Sequence, residues 1–123
     1  TGVENWDTQL AEGVMLLTPF AADATDTLTQ NFVNKYVDAY GETPNQFAAD
    51  AYDAVYALKA AAEAGNVTPD MSISDICETL KTSMTTISID GLTGADMSWT
   101  ASGEPNKEPK AVEIVNGSYS LKE

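Results

Sequence analysis

The chain has 123 residues, 43% of them hydrophobic, which suits one domain, or part of one, with a packed core. Nineteen acidic residues against six lysines give a formal net charge of −13, which repels phosphate backbones and anionic bilayers and argues against nucleic acid or lipid as a partner. The lack of histidine excludes Ser-His-Asp and Cys-His catalysis and the commonest zinc ligand, and the single Cys77 excludes an internal disulfide and a thiolate zinc site.

Residues 1–11 are mixed, with Trp6 and Leu10 as candidate anchors. Glu12-Gly13-Val14-Met15-Leu16-Leu17-Thr18 reads as a strand stopped by Pro19. It is continuously apolar rather than alternating, which predicts burial on both faces. A strand of that kind needs neighbours, and no second run like it occurs. The chain opens on Thr1-Gly2-Val3-Glu4 with no basic and apolar leader pattern. No apolar run approaches the length of a membrane span.

Asp26 is a candidate N-cap for a helix carrying Leu28, Phe32, Tyr36 and Tyr40 at four-residue spacing, with Val33 and Val37 beside them. Gly41 ends it. After the turn Gly41-Glu42-Thr43-Pro44-Asn45 a second helix is expected over 46–64, with Phe47, Ala51, Ala54, Val55, Leu58 and Ala61 or Ala62 on its inner face. Ser72 or Ser74 caps a third helix, about 73–83, on which Ile76, Leu80 and Met84 form the stripe and Cys77 packs as a small apolar residue.

The last thirty residues change character. Met97 and Trp99 alternate with Asp96, Ser98 and Thr100, as in a half-buried strand. A strand over 110–115 places Val112 and Ile114 on one side, and Asn116-Gly117 suits a tight hairpin turn into 118–121. The tail therefore reads as an antiparallel unit of about three strands.

Carboxylate chemistry has few candidates. The segment from Asp23 to Asp26 lacks the glycine and terminal glutamate of a calcium loop. Asp50 and Asp53 are three apart and can share a helix face, which leaves paired acid-base work open as an unfavoured reading; capping and a solvated face are the expected roles. Of the two, Asp50 lies between Phe47, Ala51 and Val55 near a helix start and draws more interest. The tyrosines at helical spacing read as core. No cofactor-binding glycine motif is present, since Gly91-Leu92-Thr93-Gly94 is too short for a phosphate loop and lacks its lysine.

Taken in order, the strand 12–18, Phe32-Val33-Asn34-Lys35-Tyr36 leading to Tyr40-Gly41-Glu42-Thr43-Pro44, the helix start Gln46-Phe47-Ala48-Ala49-Asp50-Ala51-Tyr52-Asp53-Ala54-Val55-Tyr56, the Gly91-Leu92-Thr93-Gly94 loop and the final Asn116-Gly117 hairpin make a set. That set resembles the C-terminal part of type I periplasmic-binding proteins of the leucine/isoleucine/valine-binding class. The resemblance implies an α/β chain that is a fragment of that fold. Its parts would be one buried strand, two to three helices and a C-terminal antiparallel β unit. Within 1–123, residues 12–18 would be a crossover strand, 26–83 the helical part and 94–122 the β unit.

The resemblance further implies the solute-binding component of an ABC transporter, not an enzyme. Such a protein holds a branched-chain or other small amino acid between two lobes and delivers it to a membrane permease. It works outside the cytoplasmic membrane, as a tethered lipoprotein or in a periplasm, and needs no cofactor. Phe20, Gln46 and Asp50 are the ligand-binding candidates. The alternative is a small stand-alone interaction domain that self-associates through its exposed apolar strand.

Overall fold

A computed structural model describes residues 7–122, so Trp6 lies outside the described residues. Seven elements follow in chain order: α1 (Thr8–Ala11), β1 (Met15–Thr18), α2 (Thr27–Tyr40), α3 (Gln46–Ala64), α4 (Ile73–Met84), β2 (Lys110–Val115) and β3 (Ser118–Lys122). The chain divides into two units. One runs up to Gln46 and resumes at Glu108; the other is Phe47–Lys107.

The first unit holds a three-stranded antiparallel sheet in the order β1-β2-β3. Asn116 and Gly117 both take positive φ, 51° and 77°, which matches the right-handed twist of the strands they join. The Glu12 carboxylate fixes this turn by accepting from the Asn116 N–H at 2.9 Å. Register places Leu16, Val112 and Leu121 in one row and Met15, Glu113 and Ser120 in the next. Val112 and Ile114 are buried, so one face of the sheet is the core face.

This overturns one expectation. The strand at 12–18 was read as buried on both faces, yet β1 is an open strand at the edge of the sheet, with Met15 64% and Leu17 74% exposed. Its regular part is also shorter, although the ladder continues through the Gly13 N–H and the Val14 carbonyl to Ile114. The reason is its partner: β2 bonds along one edge of the strand and covers neither face, and Leu16, on the side opposite Met15 and Leu17, is 40% exposed as well.

Around α2 the expected caps are present, although Leu28, Val37 and Tyr40 of the expected apolar stripe are exposed. Asp26 accepts from the Thr29 N–H at 2.8 Å, and Gly41 closes the helix in the left-handed region with its N–H on the Val37 carbonyl. Phe20, Phe32, Tyr36 and Tyr40 form a ladder of rings with successive centroid distances of 5.9, 5.8 and 4.6 Å. Phe20 is buried at one end and Tyr40 is exposed at the other. The loop between β1 and α2 is tied down by its own acids: Asp23 accepts from Leu121 N–H and Asp26 caps α2.

In the second unit the buried face of α3 consists of Ala49, Asp53, Ala57 and Ala61, every fourth residue. Of the stripe expected to face inward Ala61 is buried, but its larger residues are open, with Phe47 70%, Val55 65% and Leu58 52% exposed. Just past the end of α3, Gly65 lets α4 approach closely. A Cβ on Gly65 would lie 2.4 Å from Thr79 Cγ2 and 2.7 Å from Ser83 Oγ. α4 itself starts at Ser72, whose Oγ accepts from Asp75 N–H. Cys77, expected to pack, is exposed.

The segment from 85 to 107 has no regular element. Met97 pairs with Ile89 and Trp99 with Pro105 only as isolated bridges, so the strand expected at 96–100 does not form. The third strand of the sheet comes from β1 instead. Asn106 helps to shape the segment, accepting from Ser98 N–H and donating to the Asp96 carbonyl.

Candidate functional site

Three residues were singled out by sequence: Phe20, Gln46 and Asp50. Phe20 sits in the core of the first unit, 4% exposed, with its ring edge-on to Phe32. Its backbone is held by the residue two before it. Thr18 Oγ1 accepts from Phe20 N–H and lies 3.0 Å from the Phe20 carbonyl. The same hydroxyl is 2.8 Å from Gln46 Oε1. One hydroxyl hydrogen serves two acceptors here, so a Gln46 amide turned to donate from Nε2 would satisfy all three groups. Gln46 is half-buried, at the first position of α3.

Asp50 belongs to the second unit and pairs with Lys107, Oδ1 to Nζ 2.9 Å. Both side chains are partly open to solvent, so the pair has the modest strength of surface ion pairs. Its value is positional: it presents one anion and one cation at a half-open place.

The second carboxylate of the Asp50–Asp53 pair has a different task. Asp53 is buried, and its Oδ1 accepts from Leu92 N–H at 2.8 Å. Its Oδ2 accepts from Thr93 N–H at 2.8 Å and from Thr93 Oγ1 at 2.6 Å. The expected solvated role therefore fails for Asp53. The two acids are committed to separate partners. The sequence did carry a signal for this: Asp53 occupies one slot in the four-spaced row of alanines, the narrow face of α3. Nothing in the sequence pointed to Lys107.

Tyr52 and Tyr56 lie one turn apart on α3, their rings tilted by 39° with centroids 4.7 Å apart. The hydrogen bond with Tyr56, then burial, then the charges of Tyr56 and Asp53 push the Tyr52 hydroxyl up to about 12. Among the described residues no group of three or more His, Cys, Asp or Glu could hold a metal ion. No helix among them is long and apolar enough to cross a membrane.

The sequence profile of the periplasmic binding protein family matches residues 3–118. The chain belongs to that family. No curated protein matches it by sequence. Solved structures supply the fold. A solute-binding protein of an ABC transporter from R. palustris, in complex with benzoate, aligns with a TM-score of 0.72 at 20% identity, covering 90% of this chain and 29% of that one. An ABC transporter substrate-binding protein from Desulfitobacterium hafniense, in complex with Leu, aligns at 0.74 and 21%, covering 93% and 32%. A leucine-binding protein from Thermotoga maritima aligns at 0.70 and 23%, covering 92% and 31%. The chain thus spans less than a third of each of these solved chains, and its fold matches part of a type I periplasmic-binding fold.

Proposed function

We propose that this chain is the C-terminal portion of the solute-binding component of an ABC transporter. In the whole protein two lobes close on a small ligand, and the closed form delivers it to a membrane permease. The observation that carries the reading is the ordered motif set over almost the entire chain, together with a family match over residues 3–118. Members of the family are solute receptors rather than enzymes, and those of ABC transporters work in the periplasm or outside the cell. Tethering by a lipid anchor is part of the proposal.

The proposed ligand is a branched-chain or other small amino acid. Two of the similar structures hold Leu and benzoate. Those ligands share a carboxylate and an apolar body, and differ in the amino group. We read residues 12–18 as a crossover segment, 26–83 as the helical part and 94–122 as the β unit. Gln46 and Asp50 are the first choices for ligand contact, because each puts a polar head at a partly open position. Phe20 follows, since it reaches a ligand only by leaving Phe32.

Calorimetric titration of a full-length protein carrying this sequence tests the proposal, with leucine, isoleucine, valine and benzoate in turn. Binding of an aliphatic amino acid, weakened about tenfold or more by Gln46→Ala or Asp50→Asn, is the expected result; one lost charge-assisted hydrogen bond is worth that much. Binding of benzoate alone would move the ligand class to aromatic acids. Binding of none of the four would overturn it.

The open edge of β1 favours a second reading, a small domain that self-associates through its exposed strand. Met15 and Leu17 are exposed on an uncharged strand at the sheet edge. Sedimentation of the 123-residue chain separates the two: a concentration-dependent dimer abolished by Leu17→Lys supports self-association, and a monomer at all concentrations removes it.

A further inference from the structure

The Gly91-Leu92-Thr93-Gly94 loop has no part in the proposed solute binding, and neither does Asp53. Together they form a buried polar assembly: Asp53 is 4% exposed, Leu92 2% and Thr93 0%. Two consecutive main-chain N–H groups and one hydroxyl converge on a single carboxylate, at 2.8, 2.8 and 2.6 Å. Successive N–H groups aimed at one anion make a nest, an arrangement that binds anions from other molecules as readily as from the same chain. The acceptor is charged, so these bonds are short and strong for their kind.

The flanking glycines make the approach possible. A Cβ on Gly91 would lie 2.6 Å from Asp53 Cγ and Oδ1, and one on Gly94 would lie 2.8 Å from Met97 Cγ. The loop is closed on itself by Gly91 N–H to the Gly94 carbonyl at 2.9 Å. Its surroundings are otherwise irregular. Residues 85–107 contribute no helix or strand, and isolated bridges at Ile89–Met97 and Trp99–Pro105 are its only ladder bonds among the described residues.

We propose that residues 91–94 are a carboxylate-receptor loop whose ligand in the folded chain is the Asp53 side chain, and that this recognition fastens the segment around it to α3. The ligand class is a small monocarboxylate held by its two oxygens. Leu92 and Met97 are buried as well and add apolar contact. That contact is not directional, whereas the nest sets which backbone groups face the helix.

Asp53→Gly in the 123-residue chain empties the nest and leaves room for formate. Thermal unfolding is read with formate and with chloride at equal ionic strength. The variant melts roughly ten degrees lower than the wild-type chain, as the loss of several buried bonds in a domain of this size implies. Formate at tens of millimolar raises its melting temperature by mass action, beyond any effect of chloride. The wild-type chain and Asp53→Asn, whose side chains fill the space, show no such difference. An Asp53→Gly chain that folds and responds alike to formate and chloride overturns the proposal.

Amide exchange in Asp53→Asn decides the matter if the glycine variant does not fold. Faster exchange confined to Leu92, Thr93 and their neighbours, with the Ala57 and Ala61 amides still protected, is the expected result. Equal loosening of α3 and the loop overturns the fastening role.

Discussion

A Cβ at position 91 would lie 2.4 Å from Met97 Cε as well as 2.6 Å from Asp53 Cγ, and Met97 is fully buried. The Asp53 carboxylate is held in place by three hydrogen bonds, so it cannot move aside without breaking them. Gly91→Ala is therefore an overpacking substitution, expected to cost about 1–3 kcal/mol. Urea unfolding checks it, and a change below about 0.5 kcal/mol would mean that the loop shifts freely. Tyr52 supports a second expectation. Its hydroxyl pKa is raised to about 12 in the folded chain, first by the hydrogen bond with Tyr56. A raised folded pKa gives stability that is complete below the unfolded value near 10 and is lost as pH rises through about 12. Ultraviolet titration of the wild-type chain should show one tyrosine ionising about two units late, and Tyr56→Phe should move it back toward 10. Single residues were the hardest scale to read in the sequence. Asp50 draws the interest there, and the one signal for Asp53 is its slot in the four-spaced row Ala49, Ala57 and Ala61. Only the loop forty residues later makes one of them a buried anchor and leaves the other an ion-pair partner at a half-open place.

Elements were legible where their signals are local. The bounds of α2 follow from Asp26 at one end and Gly41 at the other, both contiguous with the helix. The hairpin of β2 and β3 follows from Asn116-Gly117, since both residues tolerate positive φ. α4 follows from a capping serine, Ser72 or Ser74 in the sequence, and the structure uses Ser72. Burial of a face is a different matter, because it depends on what lies opposite. The apolar residues of β1 predicted two covered faces, and the hairpin that pairs with it bonds along its edge and covers neither, so Leu16 on one side and Met15 and Leu17 on the other stay exposed. On α3 the larger apolar residues predicted the inner face, and alanines with Asp53 occupy it, because close approach needs small side chains. The local signals can be tested at Asp26. Burial pushes its carboxyl up, but the hydrogen bonds from the Thr29 backbone and side chain and the charge of Lys110 outweigh it, so its pKa lies below the usual carboxylate range. A lowered folded pKa gives stability that is present above the unfolded value near 3.9 and is lost as pH falls through the folded one. Asp26→Ala should cost about 1 kcal/mol between pH 5 and 8. The difference from wild type should shrink below about pH 4, and a constant difference down to pH 2 would show that the cap acts without its charge.

At the scale of the whole molecule the open apolar surface is the main fact. Phe47, Val55 and Leu58 on α3 are each more than half exposed, as are Met15 and Leu17 on β1. Monomeric proteins rarely leave contiguous apolar faces of this kind uncovered. The helical period of α3 read correctly that its large apolar residues form one stripe; what covers that stripe is not encoded in the period. The matched solved chains are about three times as long as this one, and we propose that the rest of such a protein supplies the cover. One substitution in two contexts tests this. Leu58→Lys keeps helix propensity and puts a charge on the stripe. In the 123-residue chain, where Leu58 is 52% exposed, unfolding should change by no more than about 0.5 kcal/mol, as for other surface positions. In a full-length protein carrying this sequence, the same change should cost about 3 kcal/mol or more, because a covered stripe would have to bury an unpaired ammonium group. Equal and small effects in both would mean that the stripe stays in water, and the two-lobed reading would lose its explanation for the apolar face of α3.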